Sequence, residues 1–154
     1  LDGLIAQFGL RAPVGELIRV YRSHEPSLVL PPRTAATLRR LRRTWRLAIV
    51  TNGIPAIQAG KVAALGLGRF VDAVVLASEC GSGEGKPDRE PFLEALRRVD
   101  ADPAHAVFVG DDAFCDIFGA MRCGLRTIQT LEWRQDAGTD SALHADATVQ
   151  TISD

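Results

Sequence analysis

The chain has 154 residues, 46% of them hydrophobic, with acidic and basic side chains nearly balanced at a formal net charge of −1. That length suits one domain with a real core, and the balance calls for neither nucleic acid nor a membrane surface as partner. No apolar run approaches the roughly 20 residues of a membrane span, and the N-terminus lacks the basic-then-apolar order of a secretion signal.

Residues 1–24 read as two short helices. Leu1, Leu4, Ile5 and Phe8 share a face that Gly9 ends, and Leu17, Ile18 and Tyr21 mark the second. "EPSLVLPP" breaks the pattern, because its prolines lack amide donors and restrict their neighbours, and it reads as a linker. From Pro32 the texture becomes alternating. A helix over about 33–43 carries "LRRLRRTWR", with Leu38, Leu41 and Trp45 expected to face inward and Arg39, Arg40, Arg42 and Arg43 to face water. The strand "RLAIV", a helix over about 54–65, the strand "AVVLAS" and the helix "DREPFLEALRRV" follow. The strand "AVFVG", a helix over about 113–123 and the strands "RTIQT" and "ATVQTI" complete the series, with "QDAGTDSALHAD" a loop. Short apolar strands alternating with helices predict an α/β protein, a three-layer Rossmann-like parallel sheet covered on both faces. Ligands of such folds bind beyond the carboxyl ends of the strands.

Three strand ends carry candidate chemistry. In "AIVTNG", Thr51 offers a hydroxyl, and the amides from Asn52 and Gly53 onward can face an anion; turn and cap chemistry would use the same residues. "GSGEGKPDREPF" fails as a phosphate-binding P-loop, since Cys80 replaces the first glycine and Pro87 the magnesium-binding Ser or Thr. Its useful residue is Lys86, either a point charge for a phosphate or a solvated loop lysine, with Asp88 placed to cap the next helix. In "GDDAFCD", Asp111, Asp112 and Asp116 are hard oxygen donors suited to Mg²⁺, or helix caps in the case of Asp111 and Asp112. Cys80, Cys115 and Cys123 form no CxxC pattern, which fits buried small side chains in a reduced, cytoplasmic setting.

"AIVTNG", "GKPDREPF" and "VFVGDDAFCDIFGA", in that order, resemble the haloacid dehalogenase (HAD) superfamily, and more narrowly its phosphatase-like members with a helical cap. The match spans about residues 32–130. The resemblance implies that residues 1–31 are the remnant of the cap with its linker, and residues 32–154 the HAD-like core. It implies that Thr51, with Asn52 and Gly53, binds the transferring phosphoryl group and that Lys86 steadies it. It further implies that Asp111 and Asp116 belong to a Mg²⁺ site, with Asp112 beside them. The expected substrate is a small phosphorylated molecule.

One departure stands out. The superfamily's first motif, DxDx[TV], supplies the nucleophilic and acid/base aspartates from the sheet's central strand, and no such segment occurs here. "LDG" at the start has no Thr or Val after it and no strand before it. The only methionine is Met121, so the chain is expected to be processed or part of something longer, with the partners of Asp111 upstream of Leu1. On this reading the chain is inactive alone and leaves a gap between the strands ending at Thr51 and Gly110. A non-catalytic phosphate-binding module that lacks the first strand is the alternative. A receiver-type signalling domain would place its acidic pair early and its lysine last, whereas the order here is Thr51, Lys86, Asp111.

Overall fold

Every strand expected after Pro32 forms in the computed structural model, which describes residues 2–9, 11–132 and 144–152. Two helices, α1 (Asp2–Phe8) and α2 (Val14–Ser23), lead through an irregular stretch to α3 (Pro32–Leu41). Then come β1 (Ala48–Thr51), α4 (Pro55–Ala64), β2 (Ala73–Leu76), α5 (Arg89–Val99) and β3 (Val107–Gly110). A π-helical segment (Ala113–Phe118) runs into the short α6 (Gly119–Met121), followed by β4 (Arg126–Thr130) and β5 (Ala147–Val149). Leu1, the side chain of Leu4 and most of the expected 135–146 loop lie outside the described residues.

All pairings are parallel, as right-handed strand–helix–strand units require. They fall into two groups, β1–β2 and β3–β4–β5. No backbone hydrogen bond joins residues 47–50 to 106–109, so β1 and β3 each keep one unpaired edge among the described residues. Side-chain packing holds the two groups together. On one side Ala35 of α3 meets Phe70 and Val71, with Leu47, Ile49 and Val74 against them. Helix α5 lies along β1 and β2, while its Phe92 and Leu96 form a second cluster with Ala120, Cys123 and Leu125, beside Phe108 of β3. Phe92 is 1% exposed and meets the Phe108 ring edge-on at 4.9 Å. Burial of one such side chain contributes about 1.5–3 kcal/mol.

Three expectations need correcting. Trp45 is half exposed, because α3 stops at Leu41 and the next residues turn, which takes Trp45 off the helical face. Two-sided burial fails at β3, where Val107 and Val109 are exposed while Phe108 between them packs inward. The helix after Gly110 opens as a π turn, with the Ile117 amide reaching back to the Asp112 carbonyl. Helix α2 buries none of its residues, and Phe8, Val20 and Tyr21 stand open to solvent. No helix among the described residues is long and apolar enough to cross a membrane.

Candidate active site

Lys86 joins the carboxyl ends of β1 and β3. Its Nζ donates to the Val50 carbonyl at 3.1 Å, one residue before Thr51, and to Asp116 Oδ1 at 2.6 Å. It also lies 5.4 Å from the centre of the Phe108 ring on β3. The pair is well buried, with 11% of the Lys86 side chain and 7% of the Asp116 side chain exposed. Two of the three ammonium donors are therefore used, and the third meets no described residue. Asp116 Oδ2 accepts the backbone amides of Asp111 and Asp112 at 3.1 and 3.2 Å. Thr51, Lys86 and the aspartates thus meet at one end of the strands, although 60 positions separate Thr51 from Asp111 in the sequence.

Local structure explains how Asp116 gets there. The Asp116 amide closes the first helical turn on the Asp112 carbonyl at 3.0 Å, and its carboxylate folds back over the end of β3 onto the Asp111 and Asp112 amides. Gly110 is required at that point, since a Cβ there would collide with the Asp116 carboxylate. Asp112 is the N-cap, its Oδ1 accepting the amides of Phe114 at 2.9 Å and Cys115 at 2.6 Å.

Asn52 does something other than offer its side chain to an anion. Its Oδ1 accepts the Lys86 amide and its Nδ2 donates to the Lys86 carbonyl, both at 2.8 Å, so the side-chain amide is spent on the Lys86 main chain. Gly85 makes room for this grip: its φ is +84°, and a Cβ there would lie 2.7 Å from Asn52 Oδ1. The following Lys86–Pro87 peptide bond is cis. Asp88 does not cap α5 with its side chain; its carboxylate accepts the Ser82 hydroxyl at 2.8 Å instead.

Thr51 Oγ1 donates to Gln58 Oε1 at 3.1 Å, and the Gly53 carbonyl accepts the Ser78 hydroxyl at 2.8 Å. Gln129 Nε2 donates to the Asp111 carbonyl at 3.1 Å. Gln58, Ser78 and Gln129 had no signal in the sequence beyond Gln58 lying one helical turn past "TNG".

Of the three aspartates, only Asp111 keeps its carboxylate exposed and without a hydrogen bond or ion pair to a described residue. One or two carboxylates completed by water and phosphate are what Mg²⁺ commonly takes, so Asp111 fits that ion. No group of three or more His, Cys, Asp or Glu side chains placed to hold a metal occurs among the described residues. Cys115 is no activated nucleophile, since burial first, then Asp112 and Asp116, push its thiol pKa up. A cleft of about 1000 Å³ between α4 and α5, along the outer edge of β2, includes none of Thr51, Lys86 or Asp111.

A hydroxyl, an ammonium and an exposed carboxylate thus stand at the carboxyl ends of parallel strands, where open α/β sheets bind their ligands. The chain belongs to the haloacid dehalogenase-like hydrolases, whose family model matches residues 2–124. It is 38% identical over 99 residues to a glyceraldehyde 3-phosphate phosphatase of Methanopyrus kandleri, covering 64% of this chain and 42% of that protein. It is also 38% identical over 96 residues to a ribulose-1,5-bisphosphate 5-phosphatase of Halopiger xanaduensis, covering 62% and 39%. Among solved structures it resembles a 2-haloacid dehalogenase from Pseudomonas syringae pv. Tomato, with a TM-score of 0.73 and 34% identity over 90% of this chain and 56% of that one. The chain thus spans only about two fifths of the length of those two curated relatives.

Proposed function

We propose that this chain carries the phosphate- and Mg²⁺-binding side of a phosphatase that cleaves a small-molecule phosphate monoester through a phospho-aspartate. The observation that carries the reading is the buried Lys86–Asp116 pair, which leaves one ammonium donor without a described partner near the ends of β1 and β3. Lys86 neutralises charge on the phosphoryl oxygens, and Asp116 together with the Asn52 grip fixes where that charge stands. Thr51 and the backbone around Asn52 and Gly53 orient the group, with Gln58 holding the Thr51 hydroxyl. Asp111 would hold Mg²⁺, which supplies positive charge beside the phosphate when bound. Asp116 supports the loop around that site through the Asp111 and Asp112 amides, and Asp112 caps the helix beside it. Phosphatase names among the curated relatives favour phosphoryl over halide chemistry. Residues 1–31 are read as cap and linker and residues 32–154 as core. A cytoplasmic setting belongs to the same reading, supported by three cysteines that are all free thiols.

The 154 residues contain no DxDx[TV] segment, so on their own they are expected to bind phosphate without turning over a generic aryl phosphate. Each charge-assisted contact is worth about 1.5–3 kcal/mol, so Lys86→Ala should weaken Mg²⁺-dependent phosphate binding roughly tenfold or more. Mg²⁺-dependent turnover by residues 1–154 that Asp111→Asn abolishes would contradict the assignment and require another nucleophile. The absent motif also favours a second reading, a phosphate-binding module without catalysis. That reading predicts no turnover even when a first-motif strand is supplied.

A further inference from the structure

Four arginines border one cleft at the amino ends of β1 and β2, the end of the strands away from Thr51 and Lys86. Arg39, Arg42, Arg43 and Arg69 surround Phe70 in a space of about 540 Å³. Arg42 is the fixed member, donating to the Arg69 carbonyl at 2.7 Å and to Asp72 Oδ1 at 3.1 Å. Arg39 lies over the Phe70 ring, 5.3 Å from its centre. Arg39, Arg43 and Arg69 form no ion pair with a described residue, whereas Arg42 is paired with Asp72. In a chain of net charge −1 this is a marked local excess. Crowding like charges is unfavourable, and an anion able to touch several of them at once relieves it.

We propose that this cleft is a second anion site, independent of the one at Lys86, that takes the di- or triphosphate moiety of a small ligand. The guanidinium fork matches phosphate oxygens in pairs. A single phosphate carries too little charge to hold screened, solvent-facing arginines in place, whereas a linked polyphosphate reaches several from one molecule. The volume lies within the usual range for a small-molecule pocket. Nucleic acid fits the cleft less well, because Phe70 is only 9% exposed and Arg39 covers its ring, which leaves no aromatic face for a base.

The test is calorimetric titration of residues 1–154 with inorganic triphosphate, in the presence of a chelator, at low and at physiological ionic strength. A single-stranded oligonucleotide forms a parallel arm. Saturable triphosphate binding that weakens with salt is expected, falling roughly tenfold in Arg43→Ala/Arg69→Ala. Arg43→Glu reverses one exposed charge without removing a described hydrogen bond, and a comparable loss is expected there even if the double variant folds poorly. Absence of saturable binding, affinity that falls with Lys86→Met but not with the arginine variants, or tighter binding of the oligonucleotide through the same arginines would overturn the proposal.

Discussion

The Asn52 side chain grips the Lys86 peptide from both sides, and that grip sets where the ammonium stands. Two hydrogen bonds of ordinary net strength put the cost of Asn52→Ala at about 1–3 kcal/mol. The same change should weaken phosphate binding, because a Lys86 main chain free to shift no longer holds Nζ at the Val50 carbonyl. Gly85→Ala should act on the same contact, since its φ of +84° disfavours a side chain and its new Cβ would press on Asn52. Denaturant unfolding is expected to show both variants destabilised; an unchanged midpoint would mean the grip is incidental. Asp116→Asn removes one member of a buried ion pair, for which about 3–5 kcal/mol is usual. It should therefore cost more stability than Asp111→Asn, whose carboxylate contacts no described residue. These residues also mark the boundary of what the sequence reveals. Thr51 ends β1, Lys86 lies in the turn before α5 and Asp111 follows β3, and it is that order along the chain that the sequence makes legible. The work of Asn52 is not, because its partner lies 34 positions away and only the fold brings them together.

At the scale of elements, β1 and β3 each pair on one side only. Unpaired apolar strand edges recruit strands, and the resemblance puts a DxDx[TV]-bearing strand between these two. A synthetic peptide with an apolar run ending in that motif is expected to bind residues 1–154 and slow amide exchange in β1 and β3. Protection confined to the outer edge of β2 would contradict that placement. Alternating periodicity foretold the order of strands and helices from β1 onward. It did not foretell the π turn at Ala113–Phe118, since one extra residue in a turn barely alters an apolar pattern over so short a segment. Nor could it foretell open valines on β3, because an apolar strand reads alike whether one face or both are covered.

For the whole molecule, protonation in acid removes the stability that its hydrogen-bonded carboxylates contribute. Asp72 is held below its ordinary 3.8, first by the Leu47 amide and then by Arg42 against the opposing effect of burial. The Thr127 amide and hydroxyl lower Asp146 in the same way, and Arg97 and Arg98 hold Glu94 at about 2 against an ordinary 4.5. Each folded-state pKa is depressed, so each contribution is complete above the unfolded value and disappears as pH falls through the folded one. Unfolding free energy should therefore decline from 4.5 toward about 2 as these carboxylates take up protons. Asp72→Asn should flatten part of that decline, and the comparison of urea unfolding at several pH values in the two proteins checks it. A variant as acid-sensitive as its parent would rule Asp72 out as a contributor.

In the proposed function, Thr51, Lys86 and Asp111 form one phosphate- and Mg²⁺-binding site on this chain. Backbone amide shift mapping of residues 1–154, titrated first with Mg²⁺ and then with inorganic phosphate, tests it most directly. Mg²⁺ is expected to move the amides of Asp111 and Asp112, and phosphate added afterwards to move those of Asn52, Gly53 and Lys86. Saturating both ions without perturbing Lys86 or Asp111 would contradict it.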